Sequence, residues 1–320
     1  MALIGSINSP NAVFKNRLIN GDFDIAQRGN TFTSTSSANN DDTYTLDRWY
    51  ILSDGNDTID VTQTTTVPTG AQNSIGLDVE TINKKFGIAQ IIEASNCYDV
   101  IGGNVTLSFQ AKVSSLTKLD NVKCAIVAWS GTADTVTSDI ISAWGVEGTN
   151  PTLIANATYE NTPANLSVTT SFASYSVTAN VDTASTKNII VFIWSDVTDT
   201  TLGDFLYITN VQLESGSTAT SFDYRPFGTE LALCQRYFEL FESGTIYLSK
   251  LRESTRDRRG NFYYKVPKRA QATLTIITSS ADGGGAVAGS SGIDGGNFES
   301  LSTTDGQTPF VQKFSGSAEL

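Results

Sequence analysis

The residues able to do chemistry in this chain are few in kind. Its 320 residues include no histidine. That removes the commonest general base and metal ligand, and it excludes Ser-His-Asp and Cys-His catalysis in their usual forms. The three cysteines, Cys97, Cys124 and Cys234, are widely spaced and form no CxxC pair. The odd count, with Cys124 in the apolar run VKCAIVAW, favours free buried thiols, and three thiolates cannot make an all-thiolate zinc site. The glycines from Gly283 to Gly296 match neither GxxxxGKS/T nor GxGxxG, so no phosphate-cradling loop is present. Two chemistries remain open. Glycoside hydrolysis needs only a pair of carboxylates, but among 33 acidic residues the candidates Asp22, Asp24, Asp47, Asp54, Glu93 and Asp134 are not distinguished by spacing. A hard cation wants oxygen ligands; the run Asn20-Gly21-Asp22-Phe23-Asp24 offers them, and reads equally as a plain β-turn.

The elements that must position these groups are strands. Only 17% of the residues are charged, below the ~25% usual for soluble chains. Thr, Ser, Asn and Gly fill the gap, and they suit strands and turns better than helices. Val105–Val113 alternates cleanly, with Val105, Leu107, Phe109, Ala111 and Val113 on one face, as a half-buried strand does. Val122–Trp129 and Asn188–Trp194 are nearly continuous apolar runs, predicting central strands. Further strands are predicted over 58–66, 75–79, 86–93, 172–181 and 206–213. Leu46 and Trp49 read as core anchors. The spacing predicts a sandwich or barrel. The piece between Gly131 and Ser171 is long and irregular, which marks it as a recognition or packing loop.

At Thr229 the pattern changes. Thr229 fits an N-cap with Glu230 in the first turn. Leu231, Cys234, Phe238 and Phe241 then follow at spacings of three, four and three, predicting a helix with a wide apolar face. That face packs either on its own domain or around the axis of an oligomer. Beyond it, 244–251, 260–266 and 272–278 read as strands, with a final one near 308–315. The expected organisation is an N-terminal arm (1–16), a β-sandwich (17–227), a connecting helix (228–243) and a C-terminal β unit with a Gly-rich tail (244–320).

The net charge is −12, but residues 225–269 carry ten basic and five acidic side chains. The acidic balance argues against nucleic-acid binding, and the basic block reads as an interface to an acidic neighbour or copy. The start of the chain lacks the basic and apolar regions of a signal peptide. No apolar run reaches the ~20 residues of a membrane span. A soluble protein made in a cytoplasm, without membrane insertion, is expected.

Two sets of residues carry a resemblance. One is NRLINGDFDIAQRG followed by YTLDRWY; the other is LYITNVQLESGSTATSFDYRPFGTELALCQRYFE. With FGIAQIIE, LSFQAKV, WSGTADTVTSDI and NTPANLSV, they resemble tail-fibre-like and other virion structural proteins of tailed bacteriophages, over roughly Asn16 to Ala272. The same framework looks like the jelly-roll of carbohydrate-binding modules. The resemblance implies an all-β chain: an N-terminal jelly-roll β-sandwich, a short connecting helix and a small C-terminal β domain. It implies a non-enzymatic virion protein, assembled in the host bacterial cytoplasm as a homotrimer with other virion proteins, that recognises a host surface glycan. Capsid decoration (a head fibre) and a glycan depolymerase using an Asp/Glu pair are the alternatives. Trp144 and Tyr159 in the long loop are the candidate glycan-binding aromatics. Leu231, Cys234, Phe238 and Phe241 are the candidate oligomer interface. No cofactor is implied beyond a structural calcium. Such modules hold one between the opening motif, where Asp24 matches the acidic position, and a paired Asp in the closing strand. Here that pair is Thr209-Asn210, leaving Asp24 and Asn210 as a depleted donor set.

Overall fold

A computed structural model describes residues 14–36, 38–242, 244–250, 257–280, 287–301 and 309–320. Most of the expected N-terminal arm (1–13) lies outside the described residues. In chain order the first body contains β1 (Thr31–Phe32), β2 (Tyr50–Ser53), β3 (Ile59–Thr64), β4 (Ser74–Val79), β5 (Phe86–Ile92), β6 (Asn104–Val113) and β7 (Val122–Trp129). It continues with β8 (Ile141–Ala143), β9 (Thr152–Leu153), β10 (Ala157–Tyr159), β11 (Ala173–Asn180), β12 (Asn188–Ser195) and β13 (Phe205–Ser215). Then come α1 (Phe227–Gln235) and the strands of the second body: β14 (Phe238–Phe241), β15 (Ile246–Tyr247), β16 (Ser249–Lys250) and β17 (Asp257–Tyr263). The last four are β18 (Thr273–Ser280), β19 (Val287–Ser291), β20 (Gly295–Leu301) and β21 (Phe310–Ser317).

The first body is a jelly-roll sandwich. A six-stranded sheet, β1-β3-β4-β13-β6-β11, faces a five-stranded sheet, β10-β7-β12-β5-β2. Every pairing within them is antiparallel. The alternation of β6 drives the packing: Val105, Leu107, Phe109, Ala111 and Val113 point into the core between the sheets, against Ile88, Ile126, Val191 and Ile193. Each such side chain contributes about 1.5–3 kcal/mol when fully buried.

The five-stranded sheet is buried on both faces, which explains why β7 and β12 read as continuous apolar runs. A second core forms on its outer face, from Tyr50, Leu52, Ala89, Ile91, Val127, Phe192 and Trp194. Two pieces cover it. One is the 131–171 segment, which lays down Val136, Ile140 and Trp144 and folds into the small β8–β9 hairpin. The other is α1 with the chain end, through Cys234, Tyr237 and Leu320. All three cysteines are buried free thiols.

The connecting helix is shorter than the apolar spacing predicts. Pro226, not Thr229, is its N-cap, its carbonyl accepting from the Thr229 and Glu230 amides. It ends at Gln235 because the next residues have a better partner: Phe238–Phe241 pairs with Ser317–Phe314 of β21. Tertiary pairing overrides the local period there.

In the second body, β14, β15 and β18 pair with β21, and β16-β17-β20-β19 form another sheet. The rings of Phe241, Phe262, Phe298 and Phe314 cluster between them, Phe241 stacking on Phe314 at 4.3 Å. The final residues return to the first body. Glu319 pairs with Arg28 at 3.0 Å and with buried Arg48, and the Tyr44 hydroxyl donates to the Leu320 carbonyl at 2.8 Å. Among the described residues no helix is long and apolar enough to cross a membrane.

Candidate functional site

The free broad face of the sandwich is the outer side of the six-stranded sheet. Register sets its rows. Tyr207 on β13 stands opposite Lys112 on β6; Thr209 stands opposite Gln110; Ser108 stands opposite Gln212 and, on β11, Ser176. These are the polar positions of the alternating strands, so the face is dense in hydroxyls and amides. Asn210 adopts a left-handed conformation (φ 54°) at the irregularity in β13 between Thr209 and Gln212. This turns its side chain toward β6, where Nδ2 donates to Gln110 Oε1 at 2.8 Å.

The chain leaving β13 folds back over this face. Glu214 fixes the return by accepting from the Thr220 amide (2.8 Å) and hydroxyl (2.7 Å), and Gln212 Oε1 accepts from the Asp223 amide at 2.8 Å. The return places Phe222 and Tyr224 edge to face, 4.7 Å apart. Between it and strands β6 and β11 lies a groove of about 430 Å³, walled by Ser108, Gln110, Ser174, Ser176, Asn210 and Tyr224. Tyr224 is 53% exposed. Its hydroxyl lies 3.1 Å from the Gly70 carbonyl and 3.3 Å from Asn210 Oδ1, either of which accepts its proton. Further along β13, Phe205 and Tyr207 stack at 5.2 Å, with the Lys112 ammonium 5.0 Å from the Tyr207 ring. Burial, reinforced by Asp78, pushes the Tyr207 hydroxyl above its ordinary range. The groove is within the ~300–1,000 Å³ typical of ligand pockets. It combines an open aromatic ring with neutral donors and acceptors. It can bind a polar, uncharged ligand with apolar faces, and it holds no nucleophile–base pair.

Apart from Asn210, the structure places the residues anticipated from sequence elsewhere. Trp144 is buried edge-on against Phe192 (5.9 Å), and the Tyr159 hydroxyl donates to the Pro151 carbonyl at 2.8 Å. Trp144 belongs to the cover over the five-stranded sheet and Tyr159 to its edge strand β10, so neither lines the groove on the six-stranded sheet. Asp24 Oδ1 accepts from Asn73 at 2.8 Å, while Asn210 serves the groove through Gln110. Asp24 and Asn210 thus have different partners, and among the described residues no group of three or more acidic or cysteine side chains is arranged to hold a metal ion. Cys234 and Phe238 are buried within this chain, Phe238 under the Arg28 guanidinium at 3.7 Å, and Phe241 stacks in the second core. Leu231 is half-buried against the outer-face core. The apolar stripe therefore meets its own chain, because the helix ends before Phe238 and Phe241 can join it.

Three of the carboxylate candidates, Asp47, Asp134 and Glu93, are engaged structurally, whereas Asp22 is buried with its carboxyl pushed up to about 6 by burial and then by Asp24 and Glu230. Asp47 accepts from the Gln27 amide and side chain, and Asp134 from Ala94 and Asn188. Burial pushes the Glu93 carboxyl up, but hydrogen bonds from Arg236 and Tyr237 outweigh it and hold it below the usual glutamate range. Three of the ten basic side chains of the basic block are paired within the chain: Arg225 meets Glu230, Arg236 meets Glu93, and Lys268 meets Glu239. What sequence reading missed is Tyr224. A lone aromatic between Phe222 and Pro226 reads as connector packing, whereas the outward polarity of Ser108 and Gln110 was visible in the alternation of β6.

No family model and no curated protein matches the chain. Solved structures do. The enzymatically active domain of bacteriophage CBA120 tailspike protein 4 is similar at 16% identity and a TM-score of 0.37, over 63% of this chain; the match spans 22% of the tailspike domain. A putative sugar-binding protein from Bacteroides thetaiotaomicron is similar at 15% identity and a TM-score of 0.38, over 63% of this chain and 100% of that one. The xylan-binding domain from Paenibacillus barcinonensis is similar at 11% identity and a TM-score of 0.33, over 57% and 94%. What each binds or cleaves is a property of that protein.

Proposed function

We propose that this chain is a non-enzymatic structural protein of a tailed-phage virion, of the tail-fibre kind, that binds a host surface glycan in the groove beneath Tyr224. The observation that carries the glycan reading is that groove: an exposed ring above a floor of serine hydroxyls and the Gln110–Asn210 amide pair. Pyranose rings present C–H faces to aromatic rings and hydroxyls to amides, so the two halves of the groove match the two characters of a sugar. The virion reading rests on the motifs shared with tail-fibre-like proteins. Assembly as a homotrimer and independence of any cofactor belong to the same reading.

Binding to host polysaccharide, measured by calorimetry or on a glycan array, tests it. Tyr224→Ala should weaken binding about two- to tenfold, since aromatic contacts contribute ~0.5–1.5 kcal/mol, with melting unchanged. Wild-type affinity in that variant would sink the assignment of the groove. Release of new reducing ends from the polysaccharide would overturn the non-enzymatic part, and a monomer by native mass at micromolar concentration would overturn the trimer.

A further inference from the structure

At one end of the covered sheet, beneath the 131–171 segment, two lysines and an asparagine converge on one carboxylate. Asp196, fully buried just after β12, receives Lys85 Nζ on Oδ1 at 2.5 Å and Lys123 Nζ on Oδ2 at 2.7 Å. The two ammonium groups are not equivalent. Lys85 is fully buried and also donates to the carbonyls of Val146 (2.7 Å), Thr149 (2.8 Å) and Trp144 (3.3 Å). Lys123, on β7, has Asp196 and one other partner, the side chain of Asn150, with Oδ1 at 2.9 Å from Nζ. Asn150 Nδ2 is turned away toward the Pro163 carbonyl at 3.4 Å. Asp196 is further held by the Gly148 amide at 3.0 Å and by Asn121 at 3.4 Å.

We propose that Lys123 and Asn150 are a site of spontaneous intramolecular isopeptide formation, assisted by Asp196, that bonds the covering segment to strand β7. The amine is a nucleophile. The carbon bearing Oδ1 is the next atom beyond its hydrogen-bond partner, and productive pairs lie about 3–3.5 Å apart before reaction. The steps balance without a co-reactant. Asp196 Oδ2 takes a proton from Lys123 Nζ as Nζ attacks Asn150 Cγ. The Nζ–Cγ bond forms; the carboxyl passes its proton to Nδ2, takes the second proton that Nζ must lose to become an amide nitrogen, and delivers it to the departing ammonia as the Cγ–Nδ2 bond breaks. A lysine ammonium and a carboxamide become a secondary amide and an ammonium ion. The site itself favours this direction. Two cations share one buried carboxylate, and an uncompensated buried charge is costly. Conversion of Lys123 to an amide leaves Lys85 and Asp196 as a balanced pair.

Mass spectrometry of the full chain tests the proposal. The denatured protein should weigh about 17 Da less than its sequence, the mass of ammonia. Loss of ammonia from Asn20-Gly21 on closing to a succinimide would give the same deficit, so the peptide decides. Trypsin does not cleave after an amidated lysine, so residues 119–187 should appear as one peptide carrying the whole deficit. In Asn150→Ala, which keeps both lysines and Asp196, and in Asp196→Asn, cleavage after Lys123 should return. Full mass with ordinary cleavage after Lys123 in the wild type would overturn the proposal and leave a non-covalent ion-pair network. Persistence of the deficit in 119–187 of Asn150→Ala would overturn the pairing.

Discussion

Single side chains in this molecule divide into those that hold the chain together and those left free to meet something else. The residues that carry the phage resemblance belong almost entirely to the first group. Arg225 binds the Leu18 carbonyl at 3.0 Å and the carbonyl of Asn16, and its partner Glu230 accepts the Asn20 amide. Asn20 itself is fully buried at φ 57°, its side chain bridging Ile25 and the Asp47 carbonyl. Gly21 is required because a Cβ there would sit 2.0 Å from the Val211 carbonyl oxygen. The opening and closing motifs are thus two halves of one clasp. Arg225→Met should cost about 3–5 kcal/mol, since it leaves Glu230 buried without its charge partner; urea unfolding would measure it. A second prediction concerns Asp42, whose carboxyl is pushed up to about 7 by burial and then by Asp41 and Asp139. Its folded value lies above the unfolded one of 3.8, so between them the folded state holds a proton that the unfolded chain has lost. Asp42 therefore lowers stability progressively as pH rises from about 4 to 7, with no further change above. Asp42→Asn should melt with the wild type at pH 4 and clearly above it at pH 8. Parallel melting curves across that range would contradict the assignment.

At the scale of elements, the 131–171 segment shows where reading a sequence succeeds and fails. Its length and irregularity were visible; its role was not. A tryptophan in a long loop is equally suited to a ligand or to an apolar sheet, and only the fold reveals that the outer face of β12 needs covering. Trp144→Ala should cost about 3–5 kcal/mol, as loss of a large buried ring does, and leave glycan affinity untouched. Chemical denaturation and calorimetry on one preparation would check both halves. The strands of the sandwich were legible because alternation and continuous apolar runs report directly which faces are buried. The helix was legible in its start and misjudged at its end. Leu231 and Cys234 follow a helical period, but Phe238 and Phe241 obey a pairing with residues more than seventy positions away, which no local pattern encodes. The groove was illegible for the same reason: its wall comes from the return after β13 and its floor from β6 and β11.

For the molecule as a whole, apolar clustering and polar contacts follow different boundaries. Each body has its own apolar cluster, yet the basic side chains of the second region reach acids and carbonyls across the boundary. Arg236 binds Glu93 of the sandwich, and Arg269 holds the carbonyls of Ala318 and Glu319 while the Glu319 carboxylate crosses to Arg28 and Arg48. Scanning calorimetry should therefore show one transition for both bodies. Glu319→Ala, which strands Arg48 in the interior, should lower that single transition; two resolved transitions in the wild type would show the bodies to be independent.

The double burial of the five-stranded sheet bears on inheritance. A β-sandwich whose outer faces tolerate water can be cut from one gene and joined to another as a self-sufficient module. This one cannot, because removing everything after Arg225 would strip Cys234, Tyr237 and Leu320 from the core on the outer face of that sheet. Recombination that separates the two bodies would yield a sticky product.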